Sequence, residues 1–189
     1  MKKLAIIAGV ALCLCSCGGK KTADIYREAL SAEIVRLTGA DAKVRIDRFE
    51  RMDSTTFGQE LEHRMGVFAE RESQNRMFHE KYTAGGMPRN AEKKRLALIK
   101  DAEVRAGLES IAARLAESDS LDVVAYYDYR FSGKAVSAGC ETVFEDYYAT
   151  ITPDGKVLSI NNSAKGLHRA LGRVIPGYAP LVGLGPEEE

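Results

Sequence analysis

"LDVVAYYDYRFS", residues 121–132, decides how this chain folds. Leu121, Val123, Ala125, Tyr127, Tyr129 and Phe131 alternate with Asp122, Val124, Tyr126, Asp128, Arg130 and Ser132. Successive strand side chains point to opposite sides, so this period of two describes a strand with one face on a core. The odd set is the more apolar and is expected to face helices. The even set then places Tyr126, Asp128 and Arg130 together on the other face.

Toward the C-terminus, "SGKAVSAG" (132–139) reads as a loop and Cys140–Thr152 as a second long strand. In "TPDGK" (152–156), Pro153 and Asp154 suit the corners of a type I turn and Gly155 the left-handed position of a bulged hairpin. Lys156–Asn161 returns as a third strand. The parity of the middle strand is ambiguous: Cys140, Phe144 and Tyr148 form one set, Val143, Tyr147 and Ile151 the other. A regular register puts Tyr148 on the side of Leu158 and Ile160. Glu145 and Tyr147 then join Tyr126, Asp128 and Arg130 as a candidate binding face. Tyrosine and arginine are the residues that dominate recognition surfaces, although the same side chains serve as cross-strand pairs on a solvated sheet.

Toward the N-terminus the period becomes helical. Tyr26, Leu30, Ile34 and Leu37 mark a helix over 23–38, stopped at Gly39. "AKVRIDRF" (42–49) is a short half-buried strand. Thr56 and Gln59 have capping-box spacing, with Asp53 and Ser54 as rival caps. Phe57, Leu61, Met65, Phe68, Phe78 and Tyr82 imply a long second helix to about Lys81. "TAGGMP" (83–88) breaks it, and Asn90 is the expected cap of a third helix through Glu117. The sum is an α+β fold, with helices packed on one face of a mainly antiparallel sheet that ends in a three-strand meander. The domain is expected over 23–162. The segment 163–189 is too apolar for a linker; a short helix over 164–171 and irregular chain over 174–181 are expected to pack on the domain, leaving a loose acidic end.

The first residues give an address. Lys2 and Lys3 precede an apolar run, Leu4–Leu14, shorter than the roughly 20 residues a membrane span needs. This is the pattern of a secretory signal peptide. Leu14-Cys15-Ser16-Cys17 resembles the lipobox of bacterial lipoproteins. The resemblance implies cleavage after residue 16, lipidation of Cys17 and a tether over 17–22. Gly18 stands where enteric lipoproteins retained in the inner membrane carry aspartate. An outer-membrane anchor facing the periplasm is the expectation.

Removing the first 16 of 189 residues leaves 173, enough for one domain with a core. Lysine plus arginine and aspartate plus glutamate both number 27, and this balance speaks against nucleic acid as a partner. Cys140 would be the only cysteine of the mature domain. It has no disulfide partner and is expected to be a buried, inert thiol. His63, His79 and His168 are scattered, with no HxxxH, HExxH, CxxC, GxSxG or P-loop pattern. No catalytic residue, metal or cofactor is assigned. The element order resembles cystatin-like and NTF2-like folds, and "YDYRFSGK…YYATITPDGKVLSI" resembles segments of small envelope lipoproteins. The expected function is a non-catalytic, lipid-anchored envelope module that binds a protein or ligand. The alternatives are an NTF2-like cone with a small-molecule pocket and a cystatin-like inhibitor of an envelope protease.

Overall fold

The period-two stretch lies at the centre of a four-stranded antiparallel sheet of order β1-β2-β3-β4. The computed structural model describes residues 22–167 and 171–184. In chain order they form α1 (Thr22–Thr38), β1 (Lys43–Thr56), α2 (Phe57–Ala84), α3 (Pro88–Glu117), β2 (Val124–Ser137), β3 (Cys140–Ile151), β4 (Val157–Asn161) and α4 (Tyr178–Leu181). The α+β class and the terminal β2-β3-β4 meander stand as read.

α1 lies on the face carrying the odd residues of β2. Its Tyr26, Leu30 and Ile34 pack on Tyr129, Phe131, Phe144, Ala149 and Ile151. Each buried aliphatic or phenyl group contributes about 1.5–3 kcal/mol by leaving water. Leu30 and Ile34 are at most 1% exposed in this contact.

Several boundaries differ from the sequence reading. β1 runs on to Thr56, where the threonine hydroxyl accepts from the Gln59 amide and the Gln59 side chain accepts from the Thr56 amide. This is the expected capping box. Asn90 is not the cap of α3: the helix starts at Pro88 with Met87 as its N-cap, because proline suits the first helical turn, where no amide partner is required, and Asn90 lies inside that turn. β2 continues through "SGKAVSAG" as far as Ser137. The chain reverses in only two residues, Ala138 (φ 49°) and Gly139 (φ 79°), the backbone of a type I′ hairpin turn. Asp41 holds the non-glycine corner by accepting from the Ser137 hydroxyl (2.7 Å) and the Ala138 amide (3.2 Å). Cys140 follows this tip and is exposed, not buried as expected. Gly155 has φ 91°, as the bulged "TPDGK" hairpin requires.

α2 and α3 form an antiparallel hairpin with a divided seam. Near the sheet it is apolar: Leu61, Phe68, Val104, Leu108 and Ile111 cluster with Ile175 and Tyr178 of the C-terminal segment. Toward the turn it is polar. Asn75 donates to Asp101 (2.9 Å) and accepts from Lys94 (2.8 Å), while Arg71 pairs with Asp101 at 2.8 Å. Buried polar seams fix helix register at some cost in stability.

The C-terminal segment closes a second surface. Leu171 and Val174 pack with Phe57, Ala125, Tyr126 and Leu158. The helix expected over 164–171 is two 3-10 turns, Ala164–Gly166 and Leu171–Val174; residues 168–170 between them lie outside the described residues. The stretch expected to be irregular contains α4.

Candidate functional site

The five residues assigned to a binding face do not meet on one exposed surface. Tyr126 is 0% exposed and Glu60 1%. The Tyr126 hydroxyl donates to Glu60 Oε2 (2.8 Å), and Arg64 Nε donates to Glu60 Oε1 (2.6 Å). Burial, reinforced by the nearby Glu60 carboxylate, pushes the Tyr126 phenol far above its ordinary range. Asp128 is buried and accepts from the Thr150 hydroxyl at 2.7 Å. Arg130 is partly exposed, paired with Glu50 at 3.3 Å and Asp146 at 3.9 Å; Arg48 joins the same two carboxylates. Glu145 is exposed beside this ion network. Tyr147 lies on the opposite face, with its ring 5.1 Å from Phe144 and 6.0 Å from Phe131.

Two physical causes separate them. The first is a β-bulge. Phe131 pairs with Tyr147 but Gly133 with Phe144, so β3 carries an extra residue at Glu145–Asp146. Asp146 takes φ 51° to absorb it. Such a bulge resets the alternation, and Phe144 and Tyr147 share the α1 face despite opposite parity. β4 is irregular as well, since Ile151 pairs with Val157 but Thr150 with Ser159. Leu158 and Ile160 therefore part company, and Ile160 sits opposite Ala149, not on the side of Tyr148 as a regular register would have it. The second is the C-terminal segment, which with α2 covers the even side of β2 at Tyr126.

Another aromatic group reaches the surface through two of its four rings, Phe49 and Tyr127, while Tyr26 and Tyr129 are buried beneath them. Tyr26 of α1, Phe49 of β1, and Tyr127 and Tyr129 of β2 line a cup of about 200 Å³ together with Ala23 and Arg51. Phe49 stacks on Tyr129 at 4.3 Å between ring centres, and Tyr26 tilts against Tyr127 at 5.6 Å. Two guanidiniums flank the cup: Arg51 lies 5.5 Å from the Tyr127 ring centre and Arg27 5.8 Å from that of Phe49. Phe49 and Tyr127 are half-buried; Arg27 and Arg51 are exposed. The rings offer apolar contact area and the guanidiniums offer paired donors for a carboxylate. The sequence reading placed Tyr127 and Tyr129 with the core. What it missed is that β1, the sheet edge, brings Arg51 opposite Tyr129, while the first turn of α1 leaves the cup open.

Burial raises the Tyr129 phenol to about 12. An unfolded tyrosine ionises near pH 10. For a group with a raised folded pKa, the stabilisation is complete below the unfolded value and is lost as pH rises through the folded one. The melting temperature should therefore hold to about pH 10 and fall from there toward about pH 12. Tyr129→Phe should flatten that fall. Tyrosinate absorbance showing every phenol ionising near pH 10 in the intact fold would contradict the burial argument.

Among the described residues, no group of three or more His, Cys, Asp or Glu side chains is placed to hold a metal ion. No described helix is long and apolar enough to cross a membrane. No family model, curated protein or solved structure matches the chain.

Proposed function

We propose that the protein is a non-catalytic, lipid-anchored envelope module that captures a protein partner through the cup formed by Tyr26, Phe49, Tyr127 and Tyr129. The observation carrying this reading is the pair of exposed guanidiniums, Arg27 and Arg51, beside half-open aromatic rings. The close packing of Leu30 and Ile34, each at most 1% exposed, on the sheet supports a binding module over an enclosing cone. The complementary partner presents a carboxylate next to an apolar or aromatic side chain.

The anchor assigned to Cys17 lies outside the described residues, and it sets where such a partner must be. The tether expected through residue 22 ends at 21, because α1 begins at Thr22. Four residues, 18–21, reach at most about 14 Å, and Ala23 already lines the cup. The cup therefore faces a partner close to the membrane surface, with the outer membrane and the periplasmic side as the proposed address. Cys17→Ala should abolish lipid labelling and leave uncleaved precursor. Normal labelling in that variant would remove the anchor from the account.

Arg51→Ala and Tyr127→Ala should each weaken partner capture by about 2 kcal/mol or more, as hot-spot truncations do. Arg51→Ala should leave the melting temperature nearly unchanged, because an exposed side chain contributes little to folding. Cross-linking of intact envelopes reads the first effect and thermal unfolding the second. Full capture by both variants would sink the assignment.

A further inference from the structure

A second site lies where the β3–β4 turn, the start of α2 and the C-terminal segment meet. A cavity of about 360 Å³ there is walled by Phe57, Val124, Ala125, Pro153, Leu158 and Val174. It sits within the roughly 300–1,000 Å³ of small-molecule pockets, and like them it is mostly apolar with a few polar groups at the mouth. Beside it is an open trough of about 820 Å³ along α1, lined by Ala29, Ala32, Glu33 and Arg36. Two cations, Lys156 and Arg173, line both spaces. Both side chains are exposed and both already engage other groups.

Two carboxylates line these spaces, Asp154 the cavity and Glu33 the trough. Glu33 is held by Arg36 through two hydrogen bonds of 2.8 and 2.6 Å. Asp154 accepts from the Thr152 hydroxyl and caps the turn. Of the charged side chains lining the apolar cavity itself, two are cations, Lys156 and Arg173, and one is a carboxylate, Asp154. An apolar cavity opening onto two cations selects for one kind of molecule.

We propose that this cleft binds a small amphipathic anion. Its apolar body fills the cavity between Phe57, Val124 and Leu158, and its anionic head sits between Lys156 and Arg173. A carboxylate and a phosphate monoester share the required head chemistry. This site is separate from the aromatic cup and does not depend on it.

Calorimetric titration of the full chain with octanoate, octyl phosphate and octylammonium tests the proposal. Octanoate or octyl phosphate should bind saturably and octylammonium should not; whichever anion binds more tightly identifies the head group. Lys156→Ala and Arg173→Ala should each weaken anion binding about tenfold or more, the scale of a lost charge-assisted hydrogen bond. Val124→Trp should abolish it by filling the cavity. Arg51→Ala, in the cup, should leave it unchanged. Every variant keeps the same N-terminus, so uptake that merely reflects insertion beside an apolar leader or lipid would survive all of these substitutions. That result overturns the proposal. So does the absence of saturable binding by either anion, or octylammonium binding as tightly as octanoate.

Discussion

Replacing Glu60 with alanine is expected to cost about 3–5 kcal/mol of folding stability, the penalty for removing one partner of a buried ion pair. Glu60 sits on the first turn of α2, and its two carboxylate oxygens join Arg64 of the next turn to Tyr126 of the central strand. Alanine leaves the Arg64 guanidinium, whose side chain is 10% exposed, without the acceptor at 2.6 Å. It also strips the buried Tyr126 hydroxyl of its carboxylate. Glu60→Gln keeps an acceptor oxygen and should cost less. Converting all three residues together, as Glu60→Leu, Arg64→Met and Tyr126→Phe, should recover most of the loss, since an apolar cluster of similar volume carries no desolvation cost. Urea midpoints at constant m-value measure each step. A Glu60→Ala variant within about 1 kcal/mol of the parent would show that the cluster is not a coupled unit.

Gly133→Ala should be comparably damaging, at about 3 kcal/mol or more, because overpacking against rigid backbone cannot be relieved by a rotamer change. A Cβ at Gly133 would lie 2.2 Å from the Arg45 carbonyl oxygen and 3.0 Å from Ile46 Cα. β1 bulges there between Ile46 and Arg48, and β3 bulges on the other side, opposite Phe131 and Gly133. Both neighbouring strands close on the one residue without a side chain. Gly107 provides the contrast. Its added Cβ would meet Leu181 Cδ2 at 2.6 Å, and a leucine tip can move. Gly107→Ala should therefore loosen α4 while leaving the sheet intact. Thermal unfolding of the two variants separates them; a small loss at Gly133 alongside a large one at Gly107 would invert the account.

Much of this architecture was legible in local sequence. The alternation over 121–132 located the central strand, Thr56 and Gln59 the start of α2, and Gly155 the final hairpin. Each of these signals depends on a few consecutive residues. The misassigned binding face depended on two things that local patterns do not carry. The bulge at Glu145–Asp146 places an aspartate, not a glycine, in the left-handed region, and nothing in "FEDYY" announces it. The covering of Tyr126 requires Leu171 and Val174 to return from the chain end. The cup was hidden for the same reason. Its rings come from α1, β1 and β2, and only the assembled sheet edge brings Phe49 and Arg51 beside the paired tyrosines.

Photo-crosslinking from the cup in intact cells tests the central claim most directly. Azidophenylalanine in place of Phe49 or Tyr127 keeps the ring shape, and the same analogue at Tyr148 samples the opposite face, next to Arg130. The account predicts a discrete protein adduct from positions 49 and 127 of the lipid-anchored chain, lost when Arg51→Ala is added, and none from position 148. An adduct from position 148 with none from 49 or 127 would contradict it.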